Sequence, residues 1–388
     1  VRQGPAFGIH VLLGSQTLGG AYTLARSTLG QVAVRIALQC SENDAHLILS
    51  EENSAARLLS RPGEAIYNDA NGLVEGNHPF QVAWLPDERR DAALQTVQEL
   101  SNSKGFEAAP IVFEGNVASD PARNRELTRL IEASGGAQQE SARPVKIWLG
   151  EAVAIKDATY LELQRRSGTN LLVVGAEAES AQGMLMTGLL AVAAACPTSP
   201  SADDNGKPRF VILDGSALTA ADSQTWRKLA DTVPQPAEVV GQREAASTIE
   251  QIAAEVTRRS ESGEELAAPI FLFISNLGQF RDLKKDEDEF GFGGMNDSGP
   301  ASAGQLLQNI LREGPALGVH TFAWCDTFGN ASRWLSNAAL REFEMRVAFQ
   351  LNATDSSNFI DSPAASKLGV HRALLYRADS GAAEKFRP

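Results

Sequence analysis

The sequence predicts an α/β protein: a mainly parallel sheet with helices on both faces, present as one partial and one complete copy. Two observations carry this. Short, continuously apolar runs alternate with stretches of helical spacing, the pattern of strands buried on both faces. The chain also repeats itself over a long period.

The repeat is the stronger observation. Val1-Arg-Gln-Gly-Pro-Ala-Phe-Gly-Ile-His10 returns as Leu311-Arg-Glu-Gly-Pro-Ala-Leu-Gly-Val-His320, with six of ten positions identical and four conservative swaps. The match continues in order. Val11 to Gly19 parallels Thr321 to Gly329, and Val34-Arg-Ile-Ala-Leu-Gln39 parallels Met345-Arg-Val-Ala-Phe-Gln350. Asp44 falls opposite Asp355, and Ala65-Ile66-Tyr67 falls near Leu374-Leu375-Tyr376. A period near 310 residues is too long for a solenoid and describes a duplicated domain. Residues 1–118 are accordingly expected to be the C-terminal part of one domain whose first half is absent. Residues 119–388 are expected to form one whole domain, with a polar junction over Gly115 to Pro144.

Strands are expected at Gly8–Gly14, Val32–Gln39, Glu64–Tyr67 and Phe80–Leu85 in the first copy. In the second they are expected at Asn170–Val174, Arg209–Leu213, Ile270–Ile274, Val319–Trp324 and Arg346–Leu351. Helices are expected at Asp87–Ser101, Arg123–Ala133, Met184–Ala195, Ala245–Ser260 and Ala303–Glu313. Pro197–Pro208 reads as a loop. The run Arg281–Glu289 reads as a solvated face, followed by an aromatic, glycine-rich loop over Phe290–Gly294.

Composition narrows the function classes. Apolar residues make up 43% and charged residues 21% of the 388, ordinary values for a globular protein. No run reaches the roughly 18 apolar residues of a membrane span. Cys40, Cys196 and Cys325 are scattered and the five His are dispersed, so neither a disulfide framework nor a metal site is expected. The net charge of −13 opposes a general DNA-coating surface, although a narrow basic pore is compatible with it. The chain opens on Val1 with neither Met nor signal peptide, so a piece of a longer protein is expected. Its expected location is the cytoplasm, with membrane association of the longer parent left open.

In such a sheet a ligand is expected where a strand turns into a helix at the carboxyl edge. Leu171-Leu-Val-Val-Gly175, followed by Ala176-Glu177-Ala178-Glu179, has that layout. The phosphate-cradling template GxxxxGK[ST], set on Gly175, places Ser180 at the second Gly, Ala181 at the Lys and Gln182 at the Ser/Thr. Only the first Gly survives, and Glu177 and Glu179 add negative charge where phosphate would lie. The strand Ile270–Ile274 is of the kind that ends in Asp-Glu in motor ATPases, the Asp holding magnesium and the Glu activating water. Ser275 and Asn276 stand there instead, and neither is a carboxylate base.

Gly4-Pro-Ala-Phe-Gly-Ile-His-Val-Leu-Leu-Gly-Ser-Gln16, then Val34-Arg-Ile-Ala-Leu-Gln39, resembles the C-terminal half of FtsK/SpoIIIE/HerA-like motor ATPase domains. That family shows a GIH strand ending in Thr-Gln and then a strand like TRIAFQV. Residues 170–351 reproduce its module order. The resemblance implies a RecA-like P-loop NTPase fold and a multi-domain, ring-forming parent ATPase that works on duplex DNA. It implies other ATPase domains or subunits of the same protein as partners, with ATP and magnesium bound in a domain upstream. The complete copy is expected to be catalytically degenerate, without cofactor, and structural or regulatory. Gln16 matches the γ-phosphate-sensing position, where the second copy has Asp326. Pro5 and Pro315 replace the family's Arg, which leaves Arg2 and Arg312 as candidates for trans contacts. The alternative function is a docking module for a peptide or protein substrate, similar to the tandem modules of type VII secretion ATPases. His10 and His320 read as packed residues, and Arg35 and Arg346 as ion-paired with Asp44 and Asp355.

Overall fold

The structure, a computed structural model, describes residues 4–17, 26–106, 117–134, 145–154, 156–196, 207–215, 223–263, 267–285 and 301–388. The chain divides into two compact units, Val1–Val112 and Phe113–Pro388.

The first unit contains α1 (Arg26–Leu29), β1 (Arg35–Leu38), α2 (Glu42–Ile48), β2 (Glu64–Asn68), β3 (Asn77–Gln81) and α3 (Asp87–Ser103). Its strands form one antiparallel sheet in the order β1-β2-β3. A small core of Ala37, Ala45, Leu49, Ala56 and Ile66 lies beneath it. Gly8–Gly14, expected as a strand, is non-strand and exposed. The physical reason is that a strand needs hydrogen-bonded neighbours, and among the described residues the sheet of this unit consists of β1, β2 and β3.

The second unit runs α4 (Arg125–Ser134), β4 (Val145–Ala152), β5 (Thr159–Leu163), β6 (Leu171–Val174), α5 (Ala178–Ala195), β7 (Arg209–Asp214), α6 (Ser223–Thr232) and β8 (Ala237–Val240). It continues with α7 (Ala245–Ser262), β9 (Ile270–Ser275), α8 (Ala303–Glu313), β10 (Val319–Cys325), α9 (Phe328–Trp334) and α10 (Asn337–Arg341). It ends with β11 (Met345–Ala348), α11 (Ala353–Ile360), β12 (Ala373–Arg377) and β13 (Ala382–Arg387).

All ten strands join one sheet in the order β5-β4-β13-β12-β11-β6-β10-β9-β7-β8. The six from β11 to β8 are parallel and the remainder antiparallel. The continuous apolar runs follow from burial on both faces. Leu172 and Val174 point into the core shared with α7, α8 and α11, whereas Leu171 and Val173 point into the core shared with α5, α6, β4 and β5. Helix boundaries follow local chemistry. Ser302 and Gln305 form a reciprocal capping box at the start of α8, and Gly263 ends α7 at φ 65°.

Several expectations shift. Helix α5 begins at Ala178, six residues before the expected Met184. Strand β3 lies three residues before the expected Phe80 start. The loop 197–208 falls mostly, and Phe290–Gly294 wholly, outside the described residues. Of the run 281–289, only 281–285 are described, and Leu283 among them is buried rather than solvated.

The expected ion pairs of Arg35 and Arg346 are corrected. Arg35 donates to the carbonyls of Val32, Ile48 and Leu49, and Arg346 to those of Leu340, Phe343 and Phe359. A planar guanidinium with five N–H donors satisfies orphan carbonyls at a helix end better than one carboxylate could use it. Asp44 and Asp355 serve their own helix starts instead. Ser41 accepts from the Asp44 N–H, and Asn352 from the Asp355 N–H.

Candidate functional site: the carboxyl edge of the central sheet

Strands β6, β9 and β10 end together, which brings Gly175, Ser275, Asn276 and Asp326 to one edge. The strand–turn–helix expected at Gly175 is present, but the turn is short. Strand β6 ends at Val174 and α5 begins at Ala178, leaving Gly175, Ala176 and Glu177 between them. A phosphate cradle needs a longer loop whose N–H groups converge inward. Here Ser180, Ala181 and Gln182 already lie in the helix. The Ala181 N–H donates to the Glu177 carbonyl at 2.9 Å, and the Ala181 side chain is fully buried. Ala176, Glu177, Ala178 and Glu179 are exposed.

Gly175 is held on three sides. Its N–H donates to the Cys325 carbonyl at 3.1 Å, and its carbonyl accepts from the Trp324 indole N–H at 2.9 Å. Its φ of 140° suits glycine, and a Cβ there would lie 2.5 Å from the Phe349 Cβ. Phe349 is itself anchored by its N–H, which donates to the Val174 carbonyl at 2.9 Å. Sequence reasoning missed this role for Trp324 and Phe349. The only trace of it was an aromatic residue ending each of two apolar runs.

At β9 the two positions expected to carry magnesium and base carboxylates are Ser275 and Asn276, as read from the sequence. Ser275 is fully buried and Asn276 adopts a left-handed φ of 58°. The Ser275 Oγ and the Asn276 Oδ1 have no hydrogen-bond partner among the described residues. The carboxylates that do reach the edge are Asp214, at the end of β7, and Asp326, whose Oδ1 accepts from the Asn330 amide at 2.8 Å. Among the described residues no three His, Cys, Asp or Glu side chains gather as a metal site.

The remaining candidates are not brought together with this edge. Arg312 sits in the last turn of α8, pairs with Asn309 and Glu313, and offers its carbonyl to Ser167, which precedes β6. That is the amino end of the sheet, opposite Gly175. Gln16 belongs to the first unit and is exposed, and Arg2 lies outside the described residues. His10 is exposed, against expectation, because the strand packing that would bury it is absent. His320 is packed as expected. Its Nδ1 donates to the Thr169 carbonyl at 3.0 Å and its ring stacks on Phe271, and burial pushes its pKa down to about 4.

A parallel core with an extra strand, β10, between the glycine-turn strand β6 and the acidic-strand position β9 defines a RecA-like P-loop NTPase fold. Among solved structures, the chain is similar to the cytoplasmic domain of the Thermomonospora curvata type VII secretion ATPase EccC, at 14% identity and a TM-score of 0.53. It is also similar to Thermomonospora curvata EccC (ATPases 2 and 3) in complex with a signal sequence peptide, at 15% identity and a TM-score of 0.52. All of this chain is covered in both, and it spans 44% and 63% of those two chains. At such identity the likeness is one of fold. No protein-family model and no curated protein matches the sequence. Among the described residues no helix is long and apolar enough to cross a membrane.

Proposed function

We propose that the second unit is a non-hydrolysing module of a multi-domain FtsK/HerA-like ATPase, with a structural or regulatory part in it. The observation that carries this reading is the state of Gly175. The N–H that opens a phosphate cradle donates to Cys325 instead, Phe349 packs against the glycine, and the helix starts within three residues. Lysine and carboxylate are replaced at the positions that neutralise phosphate and hold magnesium, so the residues present do not fit a magnesium nucleotide. In this reading, ATP and magnesium bind in another domain of the parent protein, and neighbouring ATPase domains or subunits are the module's partners.

A second reading concerns cargo. The family resemblance points to duplex DNA, but the net charge of −13 opposes phosphate contacts. A peptide or protein substrate fits an acidic surface better. The fold is also shared with an EccC structure holding a signal sequence peptide. We therefore favour a docking role over DNA contact.

Calorimetric titration of residues 1–388 with magnesium-ATP, then with a DNA duplex and with basic and acidic peptides, tests both readings. Heat from ATP at micromolar concentration overturns the first. Saltable DNA binding without peptide binding overturns the second.

A further inference from the structure

We infer that the loop joining β2 to β3, residues 69–76, is a preformed docking surface for a basic polypeptide segment with apolar side chains. Such a surface rests on the docking reading above and gives it a place on the chain.

The two units differ at this point. Strands β2 and β3 are antiparallel neighbours, as are β12 and β13. The second hairpin turns over Ala378-Asp-Ser-Gly381, which is exposed, has no large apolar residue, and pairs its Asp379 with Arg166 at 3.2 Å. The first hairpin turns over Asp69-Ala-Asn-Gly-Leu-Val-Glu-Gly76 and holds Leu73 and Val74 out at 55% and 52% exposure. A turn needs small or polar residues for its own geometry, and two adjacent large apolar ones at its tip add nothing to it.

The loop is fixed from beneath. Asn53 and Asn68 are buried, and each donates from its amide to the Asn77 Oδ1 at 2.9 Å. Asn77 returns a bond to the Asn53 Oδ1 at 3.0 Å. The same side chains grip the loop backbone. Asn53 donates to the Gly72 carbonyl and Asn68 to the Leu73 carbonyl, each at 2.7 Å. The Asn68 Oδ1 accepts from the Ala70 and Gly72 N–H groups. Asn71 and Gly72 turn the chain at left-handed φ of 54° and 88°, and a Cβ at Gly72 would collide with the Leu49 carbonyl. A satisfied, buried amide network orders the segment it holds. Leu73 and Val74 are thus presented with little backbone freedom left to lose on binding.

Charge sets the partner. The Asn53–Gly72 bond lays the turn of residues 50–53 against the loop. Across residues 50–53 and 69–76 the charged side chains are Glu51, Glu52, Asp69 and Glu75, all exposed, with no Lys or Arg among them. An apolar tip rimmed by carboxylates repels phosphate and favours Lys or Arg beside whatever covers Leu73 and Val74. A second copy of the chain is a poor occupant, because a two-fold contact would set two acidic rims face to face.

Methyl NMR of residues 1–388, titrated with a short peptide alternating Leu and Lys, tests this with calorimetry alongside. The Leu73 and Val74 methyl signals should move saturably, and a peptide with Glu in place of Lys should leave them still. Glu51→Lys combined with Glu75→Lys should weaken binding about tenfold or more. Leu73→Ser should weaken it similarly without lowering the melting temperature, since that side chain is exposed. Heat of binding with the Leu73 and Val74 signals unmoved, or an equal response to the Glu peptide, overturns the inference and leaves the docking reading standing. No heat from either peptide overturns both.

Discussion

Arg35 and Arg346 hold equivalent carbonyls 311 residues apart: Nε donates to the residue three before, Val32 or Phe343, and a terminal nitrogen to the residue thirteen after, Ile48 or Phe359. Each guanidinium thus ties its own strand to the end of the following helix. Arg346→Ala should destabilise the second unit by roughly 2–4 kcal/mol, since several buried acceptors lose a charged donor. Tryptophan fluorescence in urea reads this directly. Trp148, Trp226, Trp324 and Trp334 lie in that unit, and Trp84 is the sole exception. Arg35→Ala should leave the transition of these four second-unit tryptophans unmoved.

Gly175→Ala should cost roughly 2–4 kcal/mol, because the left-hand φ and the Phe349 contact both oppose a Cβ. The same urea transition measures it. A loss under about 0.5 kcal/mol would mean that the turn relaxes and that Phe349 does not seal it.

Restoring side chains alone should not restore a nucleotide site. Ala181→Lys combined with Ser275→Asp and Asn276→Glu is expected to lower stability, since position 181 is buried against the core. It should also leave magnesium-ATP binding undetectable in calorimetry at millimolar concentration. Binding gained by this variant would show that the site lost residues but kept its loop.

His320 makes the second unit sensitive to acid. Burial holds its folded pKa at about 4, below the ordinary imidazole value of 6.5. The unfolded chain therefore takes up the proton first, and stability falls as pH drops from about 6.5 towards 4. The full effect is on the order of 3 kcal/mol. Urea midpoints at pH 7 and 4.5, compared with those of His320→Leu, isolate it. The variant should be less stable at pH 7 and show a shallower pH dependence.

Much of the architecture was legible in the residues. Apolar runs buried on both faces marked β6, β7, β9 and β10 to within a residue or two, and helical spacing marked α8 at Ala303–Glu313. Strands β4, β5 and β8 were not legible, because half-buried or short strands lack a continuous apolar signature. At the candidate site, the strand–turn–helix at Gly175 and the replaced positions 275 and 276 could be read by spacing. The hydrogen bonds from Gly175 to Cys325 and from Trp324 to Gly175 could not, since they join residues about 150 positions apart.

By itself the sequence determined the α/β class, the long-period repeat and the departure of residues 180–182, 275 and 276 from the phosphate- and magnesium-binding template, because these depend on residue type and local periodicity. Tertiary structure alone decided where Arg35 and Arg346 spend their donors and what packs over Gly175. It also decided which apolar residues stay uncovered in the first unit. Those outcomes depend on which distant segments supply hydrogen-bond acceptors and apolar surface, and Gly8–Gly14 forms no strand because none of the described residues completes a ladder beside it.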